Sequence, residues 1–223
     1  MKNIDYNYWT DGYGKSDADF HNPFLAIAMG ELYGRKGFDF GKGRGIFFDS
    51  DKKNHYRADG YSSYTSLTTN YITRMEAFRP KAVENNRELA NRCYFLAGTI
   101  AGEWFFPSCK LDGNTMNQVR ATPPVYDMVY PALESIRKFY ENESGYYDLK
   151  HAIERYAYFF NSFESFDEYV EYNFMQDYEL LPKKFPTNEN ELVEFWKRSV
   201  EFMESRARRI EEYAKQNNLF DSE

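Results

Sequence analysis

A chain of 223 residues, 42% hydrophobic and 28% charged, is long enough to bury a core and short enough for one domain. Its net charge of −7 argues against a general grip on nucleic acid, which rests on a basic face neutralising phosphates. No run approaches the roughly 18 apolar residues of a membrane span.

Cys93 and Cys109 have no CxxC spacing and "MKNIDYNYWTDGYG" has no apolar leader segment, which points to reduced thiols in a soluble, cytoplasmic chain. The 20 Tyr, 20 Phe and 3 Trp point to an aromatic core with tyrosines at its rim.

Residues 1 to 21 are polar and read as loop or an early strand. "HNPFLAIAMGELYG" then predicts a helix, with Asn22 as cap, Pro23 in the first turn and Gly34 at the exit. Leu25, Ala28, Met29 and Leu32 share its apolar face. "FDFGKGRGIFFDSD" reads as a hairpin or two short strands. Its "GKGRG" lacks the spacing of a phosphate loop and reads as a flexible turn. "SYTSLTTNYITRM" (63–75) is rich in β-branched and aromatic residues, as strands are. A helix follows over about 82–96, aligning Leu89, Cys93 and Leu96, and "GTIAGEWFFPS" (98–108) reads as a strand ended by Pro107.

Beyond residue 109 the pattern turns helical. A loop over 109–127 leads into a helix near Met128, where Pro131 is tolerable only in a first turn; its stripe is Val129, Leu133, Ile136 and Tyr140. Leu149, Ile153, Tyr156 and Phe160 mark the next helix. Ser165 and Glu168 form a capping box for a third, with Phe166, Val170, Phe174 and Leu181. "LPKKFPTNEN" is a Pro-bounded linker. The last helix runs over about 189–216 through Leu192, Phe195, Trp196, Ser199, Met203, Ile210 and Tyr213.

Three charges fall on or beside these apolar stripes. Arg206 lies between Met203 and Ile210, Asp177 between Phe174 and Leu181, and Arg137 next to Leu133 and Tyr140. A buried charge needs a partner, so the stripes predict either an internal ion-pair network or a polar pocket in which arginine grips an anion. Ahead of the first of these helices, "TMNQVRAT" packs Asn117, Gln118 and Arg120 into four positions. A loop entering a helix N-terminus suits an anionic ligand; it suits equally a loop satisfying its own backbone.

Other chemistry is weaker. "SDADFH" puts Asp17, Asp19 and His21 at alternate positions, a pattern for a divalent cation or simply an acidic turn. His21, His55 and His151 stand in no metalloprotease frame. Ser108 and Cys109 have no readable triad partner.

Taken in order, "TIAGEWFFPS", "NTMNQVRAT", "YDMVYPALESIRKFY", "RYAYFFNSFESFDEYVEYNFMQDYEL" and "FMESRARRI" resemble an uncharacterised bacterial family, a domain of unknown function. The match is best over 98–210. It is carried by Phe106, Pro107, Asn117, Arg120, Asp127, Glu134, Arg137, Tyr140, Phe159, Phe160, Tyr169, Gln176, Asp177, Arg206 and Arg209. "GKSDADF" is similar to the family's N-terminal segment and departs from it at several positions. The resemblance implies no activity.

The sequence therefore predicts one domain over 1–223, mixed α/β over 1–108 and helical over 109–223. The class is α+β: a predominantly helical C-terminal two-thirds with a small N-terminal antiparallel sheet. The first functional expectation is a small anionic or nucleotide-like ligand bound or processed by Asn117, Gln118, Arg120, Arg137 and Arg206, with Asp127, Glu134 and Asp177 as structural polar partners and no cofactor. The second is a non-catalytic module, a defence or antagonist component, meeting a protein partner through an acidic aromatic surface. The third is a metal-dependent, nuclease-like toxin using Asp17 and Asp19.

Overall fold

The computed structural model describes residues 28, 30–33, 75, 77–102, 129–143 and 157–219, and the backbone alone of 39–41, 46–48, 55–57, 59–61 and 104–106. Six helices carry most of it: α1 (Arg79–Asn85), α2 (Arg87–Ala97), α3 (Val129–Tyr140), α4 (Ala157–Phe160), α5 (Phe166–Tyr172) and α6 (Glu189–Gln216). A 3-10 turn, Tyr178–Leu180, separates α5 from α6.

α6 is the spine. At about 1.5 Å per residue, its 28 residues reach roughly 42 Å. Asn188 starts it: its side chain accepts from Glu191 N at 3.0 Å, and the Glu191 carboxylate returns to Thr187 N and Oγ1, both at 2.8 Å. These bonds satisfy donors that a helix start leaves open. Leu192, Phe195, Trp196, Ser199, Phe202, Met203, Arg206, Ile210 and Ala214 then recur every three or four residues as one buried stripe. That stripe lies chiefly on α2, then on α1 and the 3-10 turn. Arg198 ties the turn down, donating to the Leu180 carbonyl at 3.0 Å and to Glu179's at 3.2 Å.

The single helix expected over 82–96 is two. Asn86 breaks it, with its backbone at φ −135°, ψ 40° and its side-chain amide donating to Ala82 O at 3.1 Å. Such a local side-chain bond competes with the helical ladder. Likewise 98–108 is not one strand: Gly98–Gly102 is a turn closed by Thr99 N to Leu96 O and Gly102 N to Thr99 O, both 3.0 Å, and only Trp104–Phe106 is extended. Of the strand expected over 63–75, Met75 is helical and fully buried; 63–74 lie outside the described residues.

α3, α4 and α5 meet through aromatic rings. Phe160 stands 5.8 Å from Tyr169 and 6.0 Å from Phe139; Phe163 stands 5.2 Å from Tyr169 and 5.0 Å from Tyr172. Tilted and edge-on pairs at these spacings add to the area that each ring removes from water. Tyr140 donates to the Phe160 carbonyl at 2.6 Å, and burial pushes its phenol above the ordinary value. Ser165 caps α5 as expected, accepting from Glu168 N at 3.1 Å; the Glu168 carboxylate reaches past the cap to Glu164 N at 2.6 Å.

The α+β expectation is overturned. The body of the described protein is helical, and its buried residues all lie on helices or on the turns between them. No small N-terminal antiparallel sheet forms part of that body. Among the described residues, extended pairing is limited to three-residue backbone segments, β1 (Asp39–Gly41), β2 (Ile46–Phe48) and β3 (His55–Arg57) in one ladder and β4 (Asp59–Tyr61) with β5 (Trp104–Phe106) in another. These segments supply none of the described core. Three residues per strand are too few to present an apolar face, whereas the helical stripes cover one another. Among the described residues, no helix is long and apolar enough to cross a membrane.

Candidate functional site

The sequence-predicted site residues scatter. Asn117, Gln118, Arg120 and Asp127 lie outside the described residues, as do Asp17, Asp19, His21 and Cys109. Arg137 is on α3, where it meets Glu134 at 3.2 Å one turn back and Glu141 one turn on. Hydrogen bonds donated to these two carboxylates, Glu134 first, raise the Arg137 pKa above the ordinary value. Arg206 is on α6 and 1% exposed. Asp177 precedes the 3-10 turn and pairs with Arg209, one helical turn beyond Arg206.

Arg206 is therefore buried, as its stripe position implies, but its partners among the described residues are carbonyls and a phenol rather than Glu134 or Asp177. Its Nε donates to Asn173 O at 3.0 Å, its Nη1 to Ala101 O at 2.7 Å and Ile100 O at 3.3 Å, and its Nη2 to the Tyr33 hydroxyl at 2.8 Å. Burial raises the Tyr33 pKa, opposed by the neighbouring guanidinium, so Tyr33 sits there as a neutral phenol. One side chain thus joins the exit turn of α2, the end of α5, the helical residues 30–33 and the spine.

The end of α5 that Arg206 holds shapes a cavity. Met175 N bonds to Val170 O at 2.9 Å and Phe174 N to Glu171 O at 3.0 Å, the paired bonds of a Schellman ending. That ending needs a left-handed residue, usually glycine. Here it is Phe174, at φ 58°, a conformation costing a bulky residue roughly 1 kcal/mol or more. The sequence reading, which carried the helix through Phe174 toward Leu181, missed this break because no Gly or Pro announces it. The kinked backbone sends the Phe174 ring onto Tyr213 of α6 at 5.0 Å and toward Tyr33 at 6.3 Å.

Between α5 and the C-terminal half of α6 lies a groove of about 550 Å³, lined by Leu32, Glu168, Glu171, Tyr172, Phe174, Gln176, Arg209, Glu212, Tyr213 and Gln216. Leu32 and Phe174 are its buried floor, Tyr172 and Tyr213 its half-buried walls; Glu171, Gln176, Glu212 and Gln216 are exposed at the rim. The Tyr172 hydroxyl donates to the Tyr33 carbonyl, which fixes that wall. Arg209, Glu212, Tyr213 and Gln216 are spaced i, i+3, i+4 and i+7, one face of α6 flanking its buried stripe. Glu168, Glu171 and Tyr172 repeat that spacing on α5. This spacing was the available signal for the groove. Of its residues, only Gln176 and Arg209 also belong to the set that carries the family resemblance.

Arg209 is locked rather than open. Its Nε and Nη2 donate to the two Asp177 carboxylate oxygens at 2.9 and 3.1 Å, and Ser205 Oγ donates to Asp177 at 2.6 Å. The Arg209 bond is the main cause that holds the Asp177 carboxyl below its ordinary value, with partial burial opposing. A depressed folded pKa stabilises above the unfolded value, about 3.9, and that stability is lost as pH falls through the folded pKa. Asp177→Asn is therefore expected to lower stability at pH 7 by up to about 1 kcal/mol, a small effect because the pair is part-exposed. The deficit should begin to shrink as pH falls below about 4 and vanish only below the lowered folded pKa. Urea midpoints of both proteins from pH 3 to 8 check this; a pH-independent deficit rules out the ionic origin.

A second depression, about 640 Å³, lies over the α1–α2 junction, lined by Glu84, Asn85, Asn86, Arg87, Glu88, Leu89 and Arg92. With Leu89 as its sole apolar wall it is a solvated polar face. The Cys93 thiol is buried and pushed up to about 12 by that burial, which makes it a core atom rather than a nucleophile. Among the described residues, no three His, Cys, Asp or Glu side chains are grouped to hold a metal ion.

The model of a family of unknown function, DUF6994, matches residues 2–210. No curated protein and no solved structure gives a match.

Proposed function

The chain belongs to that family of unknown function, and we propose that it binds a small polar ligand in the groove between α5 and α6. The observation that carries this reading is the construction of the groove. A cavity of about 550 Å³ is of the size that takes a small molecule. It is walled by Tyr172, Phe174 and Tyr213 and rimmed by amides and carboxylates, the mixture of flat apolar surface and a few orienting polar groups that ligand sites use. Phe174 is held in a costly backbone conformation at its floor. Strain of this kind gathers at ligand clamps and active sites.

Among the described residues, no nucleophile with an adjacent base lines the groove, so the reading is of binding rather than of covalent catalysis. The nucleotide-like ligand expected of Asn117, Gln118 and Arg120 belongs to residues outside this groove, and AMP in the same screen tests it.

The experiment is a melting-temperature screen of the full chain against nucleotides, sugars, amino acids and amines, repeated on Tyr213→Ala. A ligand stabilises the folded state by mass action. Stabilisation of the wild type that is lost in Tyr213→Ala is the expected result. Stabilisation that survives in Tyr213→Ala, or none from any compound, rejects the groove.

A further inference from the structure

The charge balance of the groove narrows its ligand. Among the described residues, three carboxylates line it, from Glu168, Glu171 and Glu212, against one guanidinium, Arg209. That guanidinium spends its Nε and one Nη2 hydrogen on Asp177, which offsets part of its charge. Glu168 is turned to its own helix start at Glu164 N. Lys215 pairs with Glu211 at 2.8 Å and, like Arg209, acts on Glu212 through space without bonding to it. Glu171 and Glu212 make no ion pair among the described residues, and they stand at the rim from opposite sides, one on α5 and one on α6. Below them are the aromatic side chains Tyr172, Phe174 and Tyr213.

We infer that the groove takes an organic cation, an ammonium or guanidinium group carried on a short carbon body, with Glu171 and Glu212 receiving the charge and the three aromatic side chains receiving the carbon. The inference rests on the groove being a binding site and adds the chemical class of the ligand. Two chemistries support it independently. Carboxylates supply charge-assisted acceptors for N–H donors. Aromatic faces attract a cation through their quadrupole and cover its methylene or methyl groups. A phosphate or carboxylate ligand meets the opposite field: it faces Glu171 and Glu212 with a single cation, Arg209, whose charge Asp177 already offsets.

The test is isothermal titration of the full chain in 150 mM salt with agmatine and tetramethylammonium, against AMP, inorganic phosphate and glucose. The proteins are the wild type, the double variant Glu171→Gln/Glu212→Gln, and Tyr213→Ala. Melting temperatures of the free variants establish that each is folded; both glutamates are exposed, so the double variant is expected to melt within error of the wild type. The expected result is saturable binding of the two cations, weakened about tenfold or more by the double variant and also weakened by Tyr213→Ala. Binding of AMP, phosphate or glucose, lost in Tyr213→Ala and with no response to the cations, overturns the cation class and leaves the groove standing. Cation binding that is unchanged in both variants is diffuse attraction to an acidic chain and overturns the inference. No heat from any of the five probes overturns the inference, and the broader screen then decides the groove by itself.

Discussion

Arg206→Ala will lower the free energy of unfolding by about 3–5 kcal/mol, the range for stripping one member from a buried polar network. The loss has two sources. Truncation takes away the donors that now serve the carbonyls of Ile100, Ala101 and Asn173 and the Tyr33 hydroxyl, and each buried acceptor left without them costs roughly 1–3 kcal/mol. It also opens a void where one of the largest fully buried side chains stood, and a core void adds its own penalty. Arg206→Lys is expected to recover only a minor part, because an ammonium on a flexible stem cannot fork among acceptors on three separate segments. Urea titration of the three proteins checks this through the midpoint at constant slope. A midpoint unchanged in Arg206→Ala means that the guanidinium is not what joins these segments.

Gly102→Ala will also destabilise the fold, by about 2–3 kcal/mol, the cost of forcing atoms into a packed site. A Cβ at Gly102 lies 2.5 Å from the carbonyl oxygen of Leu96 and closer still to the Cα and carbonyl oxygen of Ala97. All three are backbone atoms of the last turn of α2, so no side chain can rotate aside to make room. Relief requires the turn Gly98–Gly102 to move, and with it the Ala101 carbonyl that accepts from Arg206 at 2.7 Å. Variants sharing a displaced element do not add. Gly102→Ala combined with Arg206→Ala should therefore lose less than the two singles together. Full additivity in a double-mutant cycle breaks the proposed link between this turn and the buried arginine; a stable Gly102→Ala removes the close-approach argument itself.

Much of the helical framework was legible because it rests on local periodicity. The α6 stripe, the α3 stripe and the cap at Ser165 depend on side chains three or four positions apart, and such pairs meet on any helix whatever packs against it. The burial of Arg206 follows from the same arithmetic. The family, too, could be read from the chain, through short motifs whose order is itself sequence information.

What the sequence misjudged depends on distance along the chain. The extended segments of the N-terminal half are each three residues long, too short to present an apolar face; the described body is helical, and the expected α+β class fails with it. Which charges pair was not legible for a related reason. Asp177 and Arg206 both face inward by periodicity, yet the pair that forms is Asp177 with Arg209, because the Schellman ending at Phe174 stops α5 and re-aims the chain before Asp177 is reached. No residue type in "YNFMQD" announces a left-handed Phe.

By itself, then, the sequence determined which residues turn inward on each helix, where the long helices start, and that a charge would be buried among apolar neighbours. Only the tertiary structure decided that Arg206 meets carbonyls and the Tyr33 hydroxyl on separate segments and that α5 breaks to make an aromatic-floored groove. It alone brought two glutamates from different helices to that groove's rim. Periodicity acts over one helical turn of about 5.4 Å, while these contacts join residues 33 to 173 positions apart and exist only once the chain has closed on itself.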